Sequence, residues 1–225
     1  MSWKEYYRDV NVEPMLAHKV QIQKALTRIK LVNSEVPVLP ENNPITLMLA
    51  GYHPGATNET NLLELLNCIH EHPEDRLVMV DQNHTTQTRF PKSSSIQADL
   101  TQHLPNLDGS IDLSIMHYTL DFIPDSAIAN VGLSASHYLS PSGLLISVND
   151  YSPLPFLSSL IGSLVNRVPI FVRPTADIVY ELSPYLKLIF WGSGRFSNFH
   201  VFARADSPLY EYPLSEDSIC LDFDD

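Results

Sequence analysis

The strongest constraint on this chain is a series of short apolar runs in which polar residues do not alternate. Ile45–Ala50, Leu77–Asp81, Ile111–His117 and Leu144–Val148 are each dominated by aliphatic side chains. That is the pattern of strands covered on both faces, as a parallel sheet requires. A further strand is expected at about Ser95–Ala98, and helical patterns run from about Asn58 to His70 and from about Asp125 to Leu139. Strands that alternate with helices predict β-α-β units and an α/β domain.

Toward the C-terminus the rhythm changes. Leu186–Trp191 and Phe199–Ala203 are aromatic-rich runs separated by Gly192, Ser193 and Gly194, which predicts an antiparallel hairpin at the end of the parallel sheet. Upstream, Met15, Ile22, Leu26 and Ile29 share one helical face, so a helix is expected from Pro14 to about Val32, with Lys19, Lys24, Arg28 and Lys30 as a solvated basic face. Pro37, Pro40 and Pro44 make residues 33–44 a connector. The expected organisation is an N-terminal helical segment and connector over 1–44, an α/β domain over 45–205, and an acidic, solvated tail over 206–225.

At 225 residues the chain suits one such domain. Its 26 acidic against 14 basic residues give a net charge of -12, a field that repels phosphate backbones and anionic lipid, so neither nucleic acid nor a membrane is an expected partner. Cys68 and Cys220 form neither a disulfide scaffold nor a C-x-x-C pair, and a reducing cytoplasmic location is expected. The opening MSWKEYYRDV lacks the apolar core of a signal peptide, and no run approaches the ~20 apolar residues of a membrane span. The nine histidines show no H-x-x-x-H or H-E-x-x-H spacing, so no metal is expected, and no G-x-S-x-G elbow points to a hydrolase.

In open α/β sheets ligands bind beyond the carboxyl ends of the strands, so the residues just after each strand carry the functional reading. After the first strand comes Gly51-Tyr52-His53-Pro54-Gly55, a turn whose glycines permit close backbone approach. Asp81, followed by Gln82, ends the second strand, where a carboxylate can accept both hydroxyl hydrogens of a ribose. Asp99, followed by Leu100, stands after the third, where it could accept from an adenine amino group.

With these residues the chain resembles the class I S-adenosylmethionine-dependent methyltransferases from about Ile45 to Ala205. Gly51 to Gly55 looks like that family's glycine-rich loop, Asp81 like its acidic residue after the second strand, and Asp99 like the one after the third. Asp112 to Asp125, including Met116 and His117, is similar to its fourth strand and following loop, and Tyr138 to Leu145 to the turn entering its fifth. Two positions depart: Leu49 and His53 stand where the family has an acid and a glycine.

The resemblance implies a doubly wound, mostly parallel seven-stranded sheet with an antiparallel C-terminal hairpin, preceded by the N-terminal helix. It also implies S-adenosylmethionine as cofactor, contacted by Gly51, Tyr52, His53, Gly55, Asp81, Gln82, Asp99, Leu100, Met116 and His117. His117 and Asp150 are the candidate bases, and the apolar stretch Tyr151–Arg173 is a candidate wall for the acceptor. The expected activity is methyl transfer to a small molecule by a possible homodimer. One alternative is a non-catalytic binding module on the same fold. A nicotinamide-dependent oxidoreductase is another, although positions 51, 53 and 56 hold Gly, His and Ala where G-x-G-x-x-G would be needed.

Overall fold

The computed structural model describes residues 19–36, 38–39, 42–51, 69–70, 72–82, 92–150, 152, 154–166, 169–193, 197–210 and 221–222. Strands β1 (Thr46–Ala50), β2 (Arg76–Asp81), β3 (Ser93–Gln97), β4 (Ile111–His117) and β5 (Leu139–Asp150) are parallel neighbours in the order β3-β2-β1-β4-β5. Beyond β5 lie β7 (Ser197–Arg204), antiparallel to it, and β6 (Leu186–Ser193), antiparallel to β7. The predicted parallel sheet with a terminal hairpin is the observed one.

Alternation along β1 assigns its residues to two core layers, as strand geometry requires. Leu47 and Leu49 join Leu113, Ile115 and Val201 on one face, which helix α1 (Lys19–Val32) covers through Ile22, Ala25, Leu26 and Ile29. Met48 and Ala50 join Val80, Met116 and Leu145 on the other, beneath α2 (Asp125–Tyr138) and α4 (Thr175–Leu182). Between β5 and α4 lies α3 (Pro155–Asn166). The helix expected over Asn58–His70 lies outside the described residues except at its last two positions.

Three boundaries differ from expectation. The flanking segments belong to the domain rather than trailing from it: Val38, Leu39 and Leu209 are buried in the α1-side core, and the side chain of Asn33 ties the two flanks together, its Nδ2 donating to Ile29 O and its Oδ1 accepting from Tyr210 N at 2.6 Å. The acidic tail, expected to be solvated, returns Leu221–Asp222 to the sheet as β8, parallel to β6 at Gly192 and Ser193. Lastly, β5 begins at Leu139, five residues before its apolar run, because Ser140–Gly143 continues the strand past a register shift between Ile111 and Leu113. A Cβ on Gly143 would stand 2.6 Å from Ile111 O, so the glycine marks close backbone approach rather than a turn.

Candidate functional site

The chain builds β1, β2 and β3 outward in one direction and then β4 and β5 in the other, so strand order reverses between β1 and β4. In open α/β sheets, ligands bind beyond the carboxyl ends of the strands at such a reversal. Gly51 leaves β1 at φ +72, donating its N–H to Val80 O at 2.7 Å. The space a side chain would fill at Gly51 is taken by Thr119, whose Oγ1 donates to Ala50 O at 2.8 Å. The exits of β1 and β4 are thereby locked together.

The residue before Thr119 is Tyr118, held at φ +54 with its N–H on Val148 O at 2.7 Å, and its ring meets that of His117 edge to face at 4.4 Å. Burial, then the charges of Asp150 and Asp121, push the Tyr118 phenol up to about 12, so it stays a hydrogen-bond donor at neutral pH. A 3₁₀ turn over Leu120–Phe122 follows and buries Asp121, which is 1% exposed. Its Oδ2 accepts from the N–H of Asp150 at 2.9 Å, while Oδ1 has no hydrogen-bond partner among the described residues. Burial raises the Asp121 carboxyl well above the ordinary range; the Asp150 N–H and Arg173 oppose the shift and the charge of Asp150 adds to it. Asp150, at the end of β5, is raised by burial as well.

Arg173 secures this corner. Its guanidinium is buried and donates to the carbonyls of Leu120 at 2.8 Å, Phe171 at 3.1 Å and Ile123, and to Asp125 Oδ1 at 2.6 Å. Three carbonyls of the turn after β4 and the start of α3's return loop are thus satisfied by one side chain, as buried polar groups require.

The β2 and β3 edge holds the expected carboxylates. Asp81 is partly exposed at the end of β2, and its carbonyl accepts from Ala98 N at 3.1 Å. Gln82 is exposed, its carbonyl accepting from Gln97 Nε2 at 3.2 Å. Asp99 uses Oδ1 to accept from the N–H and hydroxyl of Thr101 at 2.9 and 2.8 Å, a local turn that orients the carboxylate.

Several named positions take other roles. Met116 and Leu100, expected as cofactor contacts, place their side chains in the core beneath α2, Met116 because alternate residues of a strand face opposite layers and Leu100 from the turn after β3. Leu49, standing where the resemblance expects an acid, is buried in the α1-side core. Tyr52, His53 and Gly55 lie outside the described residues. Tyr118, Asp121 and Arg173 were not singled out from the sequence, although an acid inside the apolar run Leu120-Asp121-Phe122-Ile123 is itself a signal of an unusual environment.

The stretch expected to wall an acceptor pocket does line a groove of about 710 Å³. Phe156 and Leu160 of α3, Ile170, Val172 and Ile128 form its apolar walls, with Asp177 and Glu181 on α4 and the Arg173–Asp125 pair at its polar side. Arg173 joins this groove to the β4 exit, lining the one and bracing the turn of the other. Among the described residues no group of three His, Cys, Asp or Glu side chains could hold a metal ion, and no helix is long and apolar enough to cross a membrane.

No protein-family model matches the chain, and no curated protein is significantly similar to it in sequence. Solved structures are similar in fold. CalO1, a methyltransferase in calicheamicin biosynthesis in its SAH-bound form, matches with a TM-score of 0.54 and 15% identity over 91% of this chain, which spans 61% of CalO1. A geranyl diphosphate methyltransferase in complex with GPP and sinefungin matches with a TM-score of 0.55 and 10% identity, covering 80% of this chain and 77% of that one. A pericyclic reaction enzyme matches with a TM-score of 0.56 and 10% identity, covering 77% and 46%.

Proposed function

We propose that this chain, which has the fold of the class I S-adenosylmethionine-dependent methyltransferases, transfers a methyl group from S-adenosylmethionine to an apolar small molecule. The observation that carries the reading is the reversal of strand order between β1 and β4, which gathers Gly51, Asp81, Asp99 and the His117–Thr119 exit along one carboxyl edge. These groups fit the cofactor: Asp81 would accept the ribose hydroxyls and Asp99 an adenine amino hydrogen. When bound, the group supplies an already activated sulfonium methyl, so the protein's task is alignment. The groove walled by α3 would take the acceptor, its volume lying within the roughly 300–1,000 Å³ of small-molecule sites. Asp150, its carboxyl raised by burial, and His117 would receive an acceptor proton.

Two observations favour a second reading. Leu49 is buried where an acid would be expected, and Thr119 fills the space beside Gly51, features that suit a non-catalytic binding module on the same fold. Fold alone decides neither, as the pericyclic relative illustrates. Calorimetry and thermal shift with S-adenosylmethionine, S-adenosylhomocysteine and NAD, repeated on Asp81→Ala, separate the cases. The proposal expects stabilisation by the first two, lost in the variant, approaching about 2.7 kcal/mol at a hundredfold excess over Kd. No response at millimolar ligand sinks it in favour of the binding module, and a response to NAD alone would indicate an oxidoreductase.

A further inference from the structure

Helix α3 is amphipathic in reverse. Its small side chains face the body of the protein: Ser159 Oγ accepts from Val172 N at 2.8 Å, Ser163 Oγ from Ile170 N at 2.9 Å, and a Cβ on Gly162 would meet Ile170 at 3.3 Å. Its large ones lie on the outer side, with Phe156 and Leu160 at the lip of the groove and Leu157, Ile161 and Leu164 beyond it. Leu157, Leu160, Ile161 and Leu164, with Phe156 and Leu154 at the N-terminal end, are between 47% and 81% exposed. Leu157, Leu160, Ile161 and Leu164 fall on one stripe, and the seven-residue step from Leu157 to Leu164 with Leu160 between them is the spacing of a helix–helix seam.

We propose that two copies of this chain associate about a two-fold axis through their α3 helices, packing the Leu157–Leu164 stripe of one against that of the other. An axis passing beside Leu160 and Ile161 sets Leu157 of each helix near Leu164 of its mate, the self-complementary arrangement that an isologous contact demands. With Phe156 left to the groove, the other five exposed residues offer on the order of 500 Å² of mostly apolar surface, at the upper end of what a monomer ordinarily leaves bare and the greater part of the ~800 Å² that each partner of a standard interface contributes.

Charge narrows the choice of occupant to a second copy. Pro155–Asn166 contains no charged residue, so a strongly basic or acidic partner would find nothing to pair with on the helix. A helix lying on a membrane surface carries Lys or Arg on its polar face, whereas α3 turns serines there and is bordered across the groove by Asp177 and Glu181 on a chain of net charge -12. The copies repel at long range through that charge, and added salt, by screening it, strengthens the pairing.

Sedimentation equilibrium of the full chain across the micromolar range tests this. The expected result is a species of twice the 25.3 kDa chain mass, tightening with salt. Leu157→Lys combined with Leu164→Lys raises the dimer dissociation constant by at least about 100-fold at unchanged circular dichroism and Tm, since neither side chain supports the core. Leu160→Ser moves it the same way without adding charge, and Leu31→Lys, on α1 across the sheet, leaves the dimer intact. A wild-type chain that stays monomeric throughout overturns the proposal, as does a double variant that dimerises like wild type. A monomer that co-sediments with phosphatidylcholine vesicles overturns it in favour of a lipid surface. None of these readings depends on cofactor binding.

Discussion

Thr119 stands in the space that a side chain on Gly51 would need: its Cγ2 lies 2.5 Å and its Oγ1 2.6 Å from where that Cβ would be. The two residues close the gap between the first and fourth strands as a fitted pair. Gly51→Ala therefore meets both a positive φ and a clash, and is expected to cost about 2–4 kcal/mol in chemical denaturation. Adding Thr119→Ala removes the Cγ2 and Oγ1 contacts and should recover part of that loss but not the backbone share. Strict additivity of the two substitutions would contradict the relation.

Arg173 and Asp125 form an ion pair whose halves are unequal. Asp125 is 79% exposed at its side chain, so Asp125→Ala should change stability by less than about 1 kcal/mol. Arg173→Ala removes the guanidinium donor from the Ile123 and Phe171 carbonyls and leaves Leu120 O with the Ile123 N–H alone, and should cost about 3 kcal/mol or more. Arg173→Lys, which keeps the charge but not the fork, should fall between the two.

Asp121 makes stability depend on pH in a definite sense. Its folded carboxyl is raised well above 3.8, so between that value and its folded pKa the native state holds a proton that the unfolded state has lost. Stability from this group is therefore complete at low pH and declines as pH rises through the window. Asp121→Asn keeps an acceptor for the Asp150 N–H and should flatten that decline in urea titrations. If the slopes of variant and wild type agree, the carboxyl is not buried as described.

His200 works in the opposite sense. It is buried on β7, with Nδ1 3.4 Å from Asn149 Nδ2 and Nε2 3.2 Å from Thr175 Oγ1, an arrangement satisfied when Nδ1 accepts and Nε2–H donates. Burial lowers its pKa from 6.5 to about 4, so stability present above pH 6.5 is lost as pH falls toward 4. Imidazole NMR should show the Nε2–H tautomer at neutrality with no protonation until about pH 4.

The sheet was legible because strands buried on both faces leave unbroken aliphatic runs such as Leu77–Val80, which no solvated element tolerates. The start of β5 was not, since Ser140, Pro141 and Gly143 have turn chemistry and only pairing with β4 at Ile111 keeps them extended. At the site, strand ends located Asp81, Asp99 and Asp150, because order along the chain places them. Depth was invisible: nothing in the letters separates Met116, sealed in the core, from His117 beside it at the edge, and nothing foretells that Asp121 lies under Asp150. The outward stripe of α3 was hidden for a related reason, since an apolar helix reads alike whether it faces its own sheet or another molecule.

The long fifth strand lies between β4, which precedes it, and β7, which the chain reaches some fifty residues later. During synthesis from the N-terminus, the half of the sheet carrying Gly51, Asp81 and Asp99 can be laid down while β5 still lacks a neighbour on one side. Asn149 and Asp150 gain their cross-strand partners only when Asn198 and Ser197 emerge. Ribosome-bound chains halted before Arg204 should therefore expose β5 to chaperones and remain vulnerable to protease along it, so the last-made hairpin acts as the quality-control checkpoint for the whole edge.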